Sequence, residues 1–303
     1  MIIKKRGLIY CPNGEHEWEI NTFMTPHAMQ ISADRIRIWG GVRDNLGVSR
    51  IKYIDVKTSN PGSIIEVGEK PSLDIGEPGC FDDNGVILGD IIFVNNKLYL
   101  YYVGFQHVQK VKFYAFSGLA ISDDLGKTFE RYSLVPVMDR TTTGRFGRCI
   151  HTVLYDEGKY KCWYALINDW KVIGSIPYPV YNIWYVESED GIHFPLNDAV
   201  LCVDVIGSEY RIGRPKVYKT PQGFEMYYTR DLVSKDYIVG YAVSIDGIHW
   251  ERKDDLFQLP KSTEGWDAEM ACYPVVLDTK YNKYMFYNGN GMGRTGVGYG
   301  ILI

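Results

Sequence analysis

The hydrophobic positions of this chain fall in short, aromatic-rich runs separated by polar or glycine-rich turns, and no long stretch carries the apolar spacing of an amphipathic helix. Aligned against itself, the sequence repeats one unit: an aromatic strand, a polar loop, a second strand, and a turn built on Ser and Asp. LYLYYVGF leads to SGLAISDDLGKTFERY, YKCWYALIND to NIWYVESEDGIHFP, FEMYYTRD to IVGYAVSIDGIHWERKDD, and YMFYNGNG to GVGYGILI, while IRIWGGVRDN leading to SRIKYIDVKT is a fainter first copy. With Asp55, Ser122, Ser188, Ser244 and Leu302 in register, the intervals are 67, 66, 56 and 58 residues.

A period of this size with about four short strands per unit is the signature of a propeller blade. The expected fold is therefore all-β, a five-bladed β-propeller of antiparallel four-stranded blades, forming a single domain over residues 1–303. The last unit has only three strands before the chain ends, which would leave a bare sheet edge. An N-terminal segment around Ile2 to Cys11 is expected to supply the missing outer strand. In SDDLGKTF, Ser122, Asp124, Gly126, Thr128 and Phe129 match the Asp-box pattern, in which short polar side chains bond turn amides; SEDGIHF and SIDGIHW are shorter relatives. Asp123, Asp124, Asp190 and Asp246 are thereby assigned to turn structure.

The C-terminal NGNGMGRTG spells G-x-G-x-x-G through Gly291, Gly293 and Gly296, the pattern that cradles a dinucleotide pyrophosphate. That chemistry needs a following helix and an acidic residue about 20 positions on, and only VGYGILI remains. The glycines are expected to form the loop between the second and third strands of the last unit.

Composition narrows the picture. Hydrophobic residues at 46% can bury a sizeable core, and 24 Tyr with 31 Gly favour strands and tight turns. A formal net charge of −4 offers no general attraction to nucleic acid or an anionic membrane. The N-terminus MIIKKRGLIYCPNG lacks a continuous apolar core and does not read as a signal peptide, and the longest apolar runs, such as GVILGDIIFV, are too short to span a bilayer. The six Cys lack C-x-x-C spacing. A soluble, reduced, cytoplasmic protein is expected, with no cofactor, no dedicated metal site, and no nucleic-acid or membrane partner.

Blade connectivity separates candidate site residues from structural ones. The starts of inner strands and the loops between second and third strands share one face around a central funnel, whereas the Ser/Asp turns lie on the opposite face. Inner strands are expected near TPHAMQI, FDDNGVILGDIIFV, GRCIHTVLY, IGRPKVY and EMACYPVVL. These bring His27, Asp82, Asp83, Arg148, His151, Arg214 and Glu269 to the funnel mouth. The loops GVRDN, VGFQHVQKVKFYAF, LINDWKVIGSIPYPV, TRDLVSKD and NGNGMGRTG add Arg43, Asp44, Asp169, Trp170, Arg230, Asp231 and Asn288. Arg43-Asp44 and Arg230-Asp231 also fit repeat-derived pairs that tie loops to neighbouring blades, and His151, within a strand, also fits a hydrogen-bonded core residue.

The repeat, the DGIHF and DGIHW hairpins, GRP opening an inner strand and the final YPVV…YMFYNGNGMGRTGVGYG resemble the five-bladed propeller glycosidases of glycoside hydrolase families 32, 43, 68 and 130, from about residue 20 to the end. The resemblance implies carboxylates at inner-strand ends, with Asp82 or Asp83 as base or nucleophile and Glu269 as general acid, a pair that suffices to cleave a glycosidic bond. Three positions depart from it: TPH stands where the first catalytic Asp is common, GRP carries no acid, and the third-blade inner strand offers Arg148 and His151 but no carboxylate. The arginines at 43, 148, 214 and 230 suit a phosphate or carboxylate, which guanidinium binds in bidentate fashion. The expected function is a carbohydrate-active enzyme, a hydrolase or a phosphorylase- or transferase-like protein, acting on a glycan or on a phosphorylated or acidic sugar. A propeller that binds such a sugar without turnover is the alternative.

Overall fold

The computed structural model describes residues 1–197, 199–234 and 237–303. Strand β1 (Ile3–Tyr10) is followed by four antiparallel meanders. They are β2 (Asn21–Ser32), β3 (Arg35–Arg43), β4 (Ser49–Lys57) and β5 (Asn60–Val67); β6 (Val86–Val94), β7 (Lys97–His107), β8 (Phe113–Ser122) and β9 (Glu130–Arg131); β10 (Gly147–Asp156), β11 (Lys159–Ile173), β12 (Ile176–Ser188) and β13 (Val200–Val203); and β14 (Glu209–Thr220), β15 (Gly223–Leu232), β16 (Tyr237–Ser244) and β17 (Glu251–Arg252). The chain ends with β18 (Cys272–Asp278), β19 (Lys283–Asn288), a short helical turn α1 (Asn290–Gly293) and β20 (Val297–Leu302). Three sheets have four strands each, and an eight-stranded sheet joins β6–β9 to β10–β13 through the single pair Gly147 and Ala115. Among the described residues, no helix is long and apolar enough to cross a membrane.

The N-terminal strand lies where the repeat predicts it. β1 pairs antiparallel with β20, from Ile3 opposite Leu302 to Tyr10 opposite Val297, and completes the sheet β1-β20-β19-β18. The registered positions Asp55, Ser122, Ser188, Ser244 and Leu302 all fall on the third strands β4, β8, β12, β16 and β20.

The core lies between sheets. Trp39 and Ile51 pack with Leu88, Leu100 and Phe129 of the next meander. Tyr101 and Leu119 pack with Ile150 and Tyr164, Trp163 and Ile183 with Ile212 and Met226, and Tyr227 and Val239 with Val276 and Met285. Phe286 and Tyr299 return to Phe23 and Ile38, so the last sheet packs on the first and the layers close a ring.

The Ser/Asp turns lock neighbours together. Ser122 Oγ accepts from the Gly126 amide at 2.8 Å, and Asp124 accepts from the Thr128 amide and hydroxyl. Ser188 with Asp190, and Ser244 with Asp246, repeat the arrangement. In each turn a glycine carbonyl accepts from an aromatic side chain of the preceding meander: Trp39 Nε1 to Gly126 at 2.7 Å, Tyr101 Oη to Gly191 at 2.9 Å and Trp163 Nε1 to Gly247 at 2.8 Å. Buried carbonyls are costly to leave unpaired, so these bonds fix the angle between sheets.

Candidate functional site: a cationic, aromatic funnel

A cavity of about 450 Å³ opens at one end of the ring. Every inner strand reaches it: Met24 from β2, Ile87 from β6, Cys149 and His151 from β10, Arg211 and Arg214 from β14, and Tyr273 from β18. Every connection between second and third strands reaches it too, through Arg43, Lys112, Ile176, Tyr237 and Met292. This is the face that connectivity predicts. The glycine-rich tail behaves accordingly: α1 is a four-residue turn between β19 and β20, with Gly291 and Met292 both at φ 60°, and it presents Met292 to the cavity.

The floor has a shared construction. Each inner strand departs from regular pairing at the same depth, at Thr25-Pro26, Gly89, His151, Arg214-Pro215 and Tyr273-Pro274. All of these residues line a smaller axial cavity of about 30 Å³, room for roughly one water. Thr25, Arg214 and Tyr273 take left-handed φ values of 52°, 55° and 53°, each directly before a proline. A non-glycine residue in that region costs on the order of 1–3 kcal/mol, and such strain gathers at ligand sites. At Gly89 a side chain is excluded outright, because a Cβ would lie 2.3 Å from the Ile150 carbonyl oxygen.

Beneath the floor Asp90 joins four strands. Its carboxylate accepts from Lys216 Nζ of β14, lies 3.0 Å from His27 Nδ1 of β2 and accepts from the Val153 amide of β10 at 2.9 Å. Burial works against its charge, but Lys216 and His27 outweigh burial and hold its pKa below the ordinary value.

Positive charge dominates the funnel. Arg214 donates through Nη1 to the Leu88 carbonyl at 2.6 Å and to His151 Nδ1 at 3.1 Å, and its Nη2 is buried with no partner. The buried Arg43 Nε also has no partner. Burial lowers the pKa of both guanidiniums, and it drives His151 well below its usual range with help from Arg214, so the imidazole is neutral and accepts at Nδ1. Arg211 is held by Asp231 Oδ2 at 2.8 Å through Nε and sits within 6 Å of the rings of Tyr178, Tyr181, Tyr210 and Tyr237. Burial pushes the Cys149 thiol up to about 12, which leaves it unreactive at neutral pH.

Of the residues singled out in the sequence, Arg43, His151 and Arg214 line the funnel, and His27 lines the axial cavity at its floor. The others lie elsewhere. Asp82 is fully buried, accepting from Tyr102 Oη at 3.0 Å and Arg131 Nε at 2.8 Å. Asp83 accepts the Gly79 amide, with its other oxygen buried and unpartnered. Glu269 is exposed, and its amide donates to Asn290 Oδ1. It adjoins Met270, which packs with Tyr237, Tyr273 and Met292 at the rim. Asp44 caps its own turn through the Leu46 and Val48 amides and pairs with Arg50. Arg148 donates to the Pro195 carbonyl, and Arg230 pairs with Glu209 and Asp254. Asn288 is fully buried, accepting from the Thr25 amide and donating to the Phe23 carbonyl. Asp169 is exposed beside Trp170, whose ring contacts Phe113 and Phe146. Residues 235 and 236 of the loop after β15 lie outside the described residues.

Arg211, Lys112 and the tyrosines at 178, 181, 237 and 273 escape sequence reasoning. Strand alternation puts residues two apart on one face, whereas Arg211 and Arg214 are three apart. They share the funnel because pairing in β14 slips on both sides of them, between Glu209 and Arg211 and between Gly213 and Lys216. Among the described residues, no three His, Cys, Asp or Glu side chains gather where a metal ion could be held.

No protein-family model matches the chain. The uncharacterized protein Rv1502 of Mycobacterium tuberculosis is 32% identical over 304 residues, covering 100% of this chain and 99% of that protein. Among solved structures, a putative glycosidase from Bacteroides thetaiotaomicron superposes with a TM-score of 0.72 at 16% identity, over 99% of this chain and 96% of that one. A thermostable family-43 glycoside hydrolase gives 0.69 at 16% identity, over 92% and 88%. A structure from work on the GH130 mannoside phosphorylases and glycoside hydrolases that target β-1,2 mannosidic linkages gives 0.71 at 15% identity, over 99% and 93%. The fold is that of the glycosidase propellers.

Proposed function

We propose that this chain, which belongs to the family of the uncharacterized Mycobacterium tuberculosis protein Rv1502, is a carbohydrate-active propeller that takes an anionic sugar, a sugar phosphate or sugar acid, in its central funnel. The five antiparallel groups are read as five blades of one domain around that funnel. One observation carries the proposal: the funnel is lined by Arg43, Lys112, Arg211 and Arg214, and among the described residues no carboxylate lines it. Two of these guanidiniums hold a buried nitrogen without a partner. An oxyanion supplies the acceptors they lack, and in a partly desolvated site such bonds are stronger than neutral ones. Recognition therefore rests on Arg43 and Arg214, with Arg211 positioned by Asp231 and the neutral His151 fixing Arg214.

A second reading, glycosyl transfer or hydrolysis in the same funnel, rests on Glu269, whose neighbour Met270 packs with Tyr237, Tyr273 and Met292 of the funnel lining. The two readings separate in one set of measurements. Calorimetry with glucuronic acid, glucose 6-phosphate and glucose should show binding of the charged sugars only. Arg43→Gln, and independently Arg214→Gln, should weaken it by roughly 10- to 100-fold, the equivalent of one lost charge-assisted bond of about 1.5–3 kcal/mol. Binding of glucose as tight as its charged counterparts would refute the anionic reading. Turnover of any glycoside that falls by orders of magnitude in Glu269→Gln, with an unchanged melting curve, would establish the second.

A further inference from the structure

The funnel is chemically two-sided. One side carries Arg43, Arg211, Arg214, Tyr237 and Tyr273; the other is an apolar wall of Ile87, Val103, Phe105, Phe113, Ala115 and Ile167, with Lys112 beside Phe113. The apolar wall comes from the middle of the ring, from β6, β7, β8 and β11, and is backed by the buried cluster around Val103, Ala115 and Ala165. Pro177 and Pro179 of the β11–β12 hairpin continue it.

A sugar ring presents hydroxyls all round, and each hydroxyl proton needs an acceptor when it leaves water. Among the described residues this lining offers few, chiefly the hydroxyls of Tyr178 and Tyr181. Among the described residues, no Asp, Glu, Asn, Gln, Ser or Thr side chain lines the larger cavity. The His151 Nδ1 acceptor is taken by Arg214, and the Tyr237 hydroxyl is engaged with that of Tyr273 at 3.3 Å. The surplus is in donors and in apolar surface. A hydroxyl-covered ligand filling this cavity would bury its hydroxyls unpaired against the β6–β8 wall, whereas a ligand with an oxyanion at one end and an apolar group at the other would satisfy both sides. A volume of about 450 Å³ is in the range that holds drug-sized molecules.

From this we infer that the ligand is amphipathic: an anionic sugar conjugated to an apolar aryl or acyl-type group, the oxyanion held by Arg43 and Arg214 and the apolar group packed on the wall that Phe113 and Val103 present. The inference rests on the anionic-sugar reading above and extends it to the other half of the ligand. Aryl and alkyl substituents share the required chemistry, and two probes separate them.

Calorimetry on the full chain with D-glucuronic acid, 4-nitrophenyl β-D-glucuronide and octyl β-D-glucuronide tests it. At least one conjugate is expected to bind tenfold or more tighter than the plain acid, and which one does so identifies the substituent class. Phe113→Ala is expected to erase most of that gain while changing affinity for the plain acid less than twofold. Ile176→Ser, at a position 49% exposed on the hairpin and safe for folding, should do the same more weakly. Conjugates that bind no tighter than glucuronic acid would overturn the amphipathic inference and leave the anionic reading standing. Failure of all three, and of glucose 6-phosphate, to bind would overturn the reading beneath it as well.

Discussion

Replacing Asp90 by Asn probes the closure of the ring. Asp90 is 1% exposed, and its carboxylate is the meeting point of Lys216, His27 and the Val153 amide, so strands β2, β6, β10 and β14 converge on one side chain. Asparagine keeps the shape and one acceptor for Val153 but leaves the Lys216 ammonium, whose side chain is 14% exposed, with no counterion. Breaking a buried pair by removing one partner costs about 3–5 kcal/mol, chiefly the desolvation of the charge left behind. Set against a total stability on the order of 5–15 kcal/mol, that is a large fraction. Urea unfolding followed by tryptophan fluorescence should show the loss at an unchanged m-value. Lys216→Met alone should cost a similar amount, because the carboxylate is then stranded. The double variant should cost clearly less than the sum, since no uncompensated charge remains. A loss below about 1 kcal/mol in Asp90→Asn, or additive costs in the double variant, would refute the view that this buried pair holds the strands together.

Two further expectations concern acid and the chain end. His27 and His151 are both buried, and burial, with Lys216 and Arg214 nearby, holds each below its ordinary pKa. The unfolded chain takes up these protons near pH 6.5 while the fold does not, so the stability they contribute is present above that value and lost as pH falls, by up to about 3 kcal/mol for the pair at pH 5.5. Chemical unfolding at pH 7.5 and 5.5 measures it; equal stability, or a gain on acidification, would contradict the neutral assignment. Deleting residues 1–11 removes the whole of β1, including the buried Ile3 and Ile9, and bares the edge of β20. A fall in melting temperature on the order of 10 °C or more is expected, given roughly 2–5 kcal/mol per lost core isoleucine, and an unchanged melting curve would show that the strand is dispensable.

How much of this was legible in the chain depends on what each residue's position was controlled by. The repeat, the Ser/Asp turns and the N-terminal closing strand are set by local chemistry and by the need to cover an edge, and all three could be read from residue type and spacing. The face of the funnel followed from connectivity alone. The identity of the side chains on that face did not, because it is decided by interruptions of strand pairing. Asp82 precedes β6 in a tight loop and turns inward to Arg131 and Tyr102, so its proximity in sequence to an inner strand misleads. Asp231 and Arg211 are partners across the β14–β15 pair, an arrangement visible only once the register is known. The Arg-Asp dipeptides, alike in sequence, diverge for the same reason: Arg43 faces the cavity, whereas Arg230 is spent on Glu209 and Asp254.

The interruptions themselves shape the floor of the funnel. At three of the inner strands the slip is made by a non-glycine residue in the left-handed region followed by proline, and at a fourth by a glycine whose place no side chain could take. Proline donates no ladder hydrogen bond, and at each of these places the residue before it takes a left-handed φ, so pairing is interrupted at Thr25, Arg214 and Tyr273. A regular strand in the same place would alternate its side chains between the two neighbouring sheets and leave the axis lined by backbone. The cost, on the order of 1–3 kcal/mol at each strained residue, brings an arginine with a free Nη2 to the point where the two cavities meet. At Arg214 backbone strain and an unpartnered guanidinium nitrogen therefore coincide. That coincidence, more than the likeness of the fold to the glycosidases, is what supports the proposal that the ligand binds at the floor of the funnel.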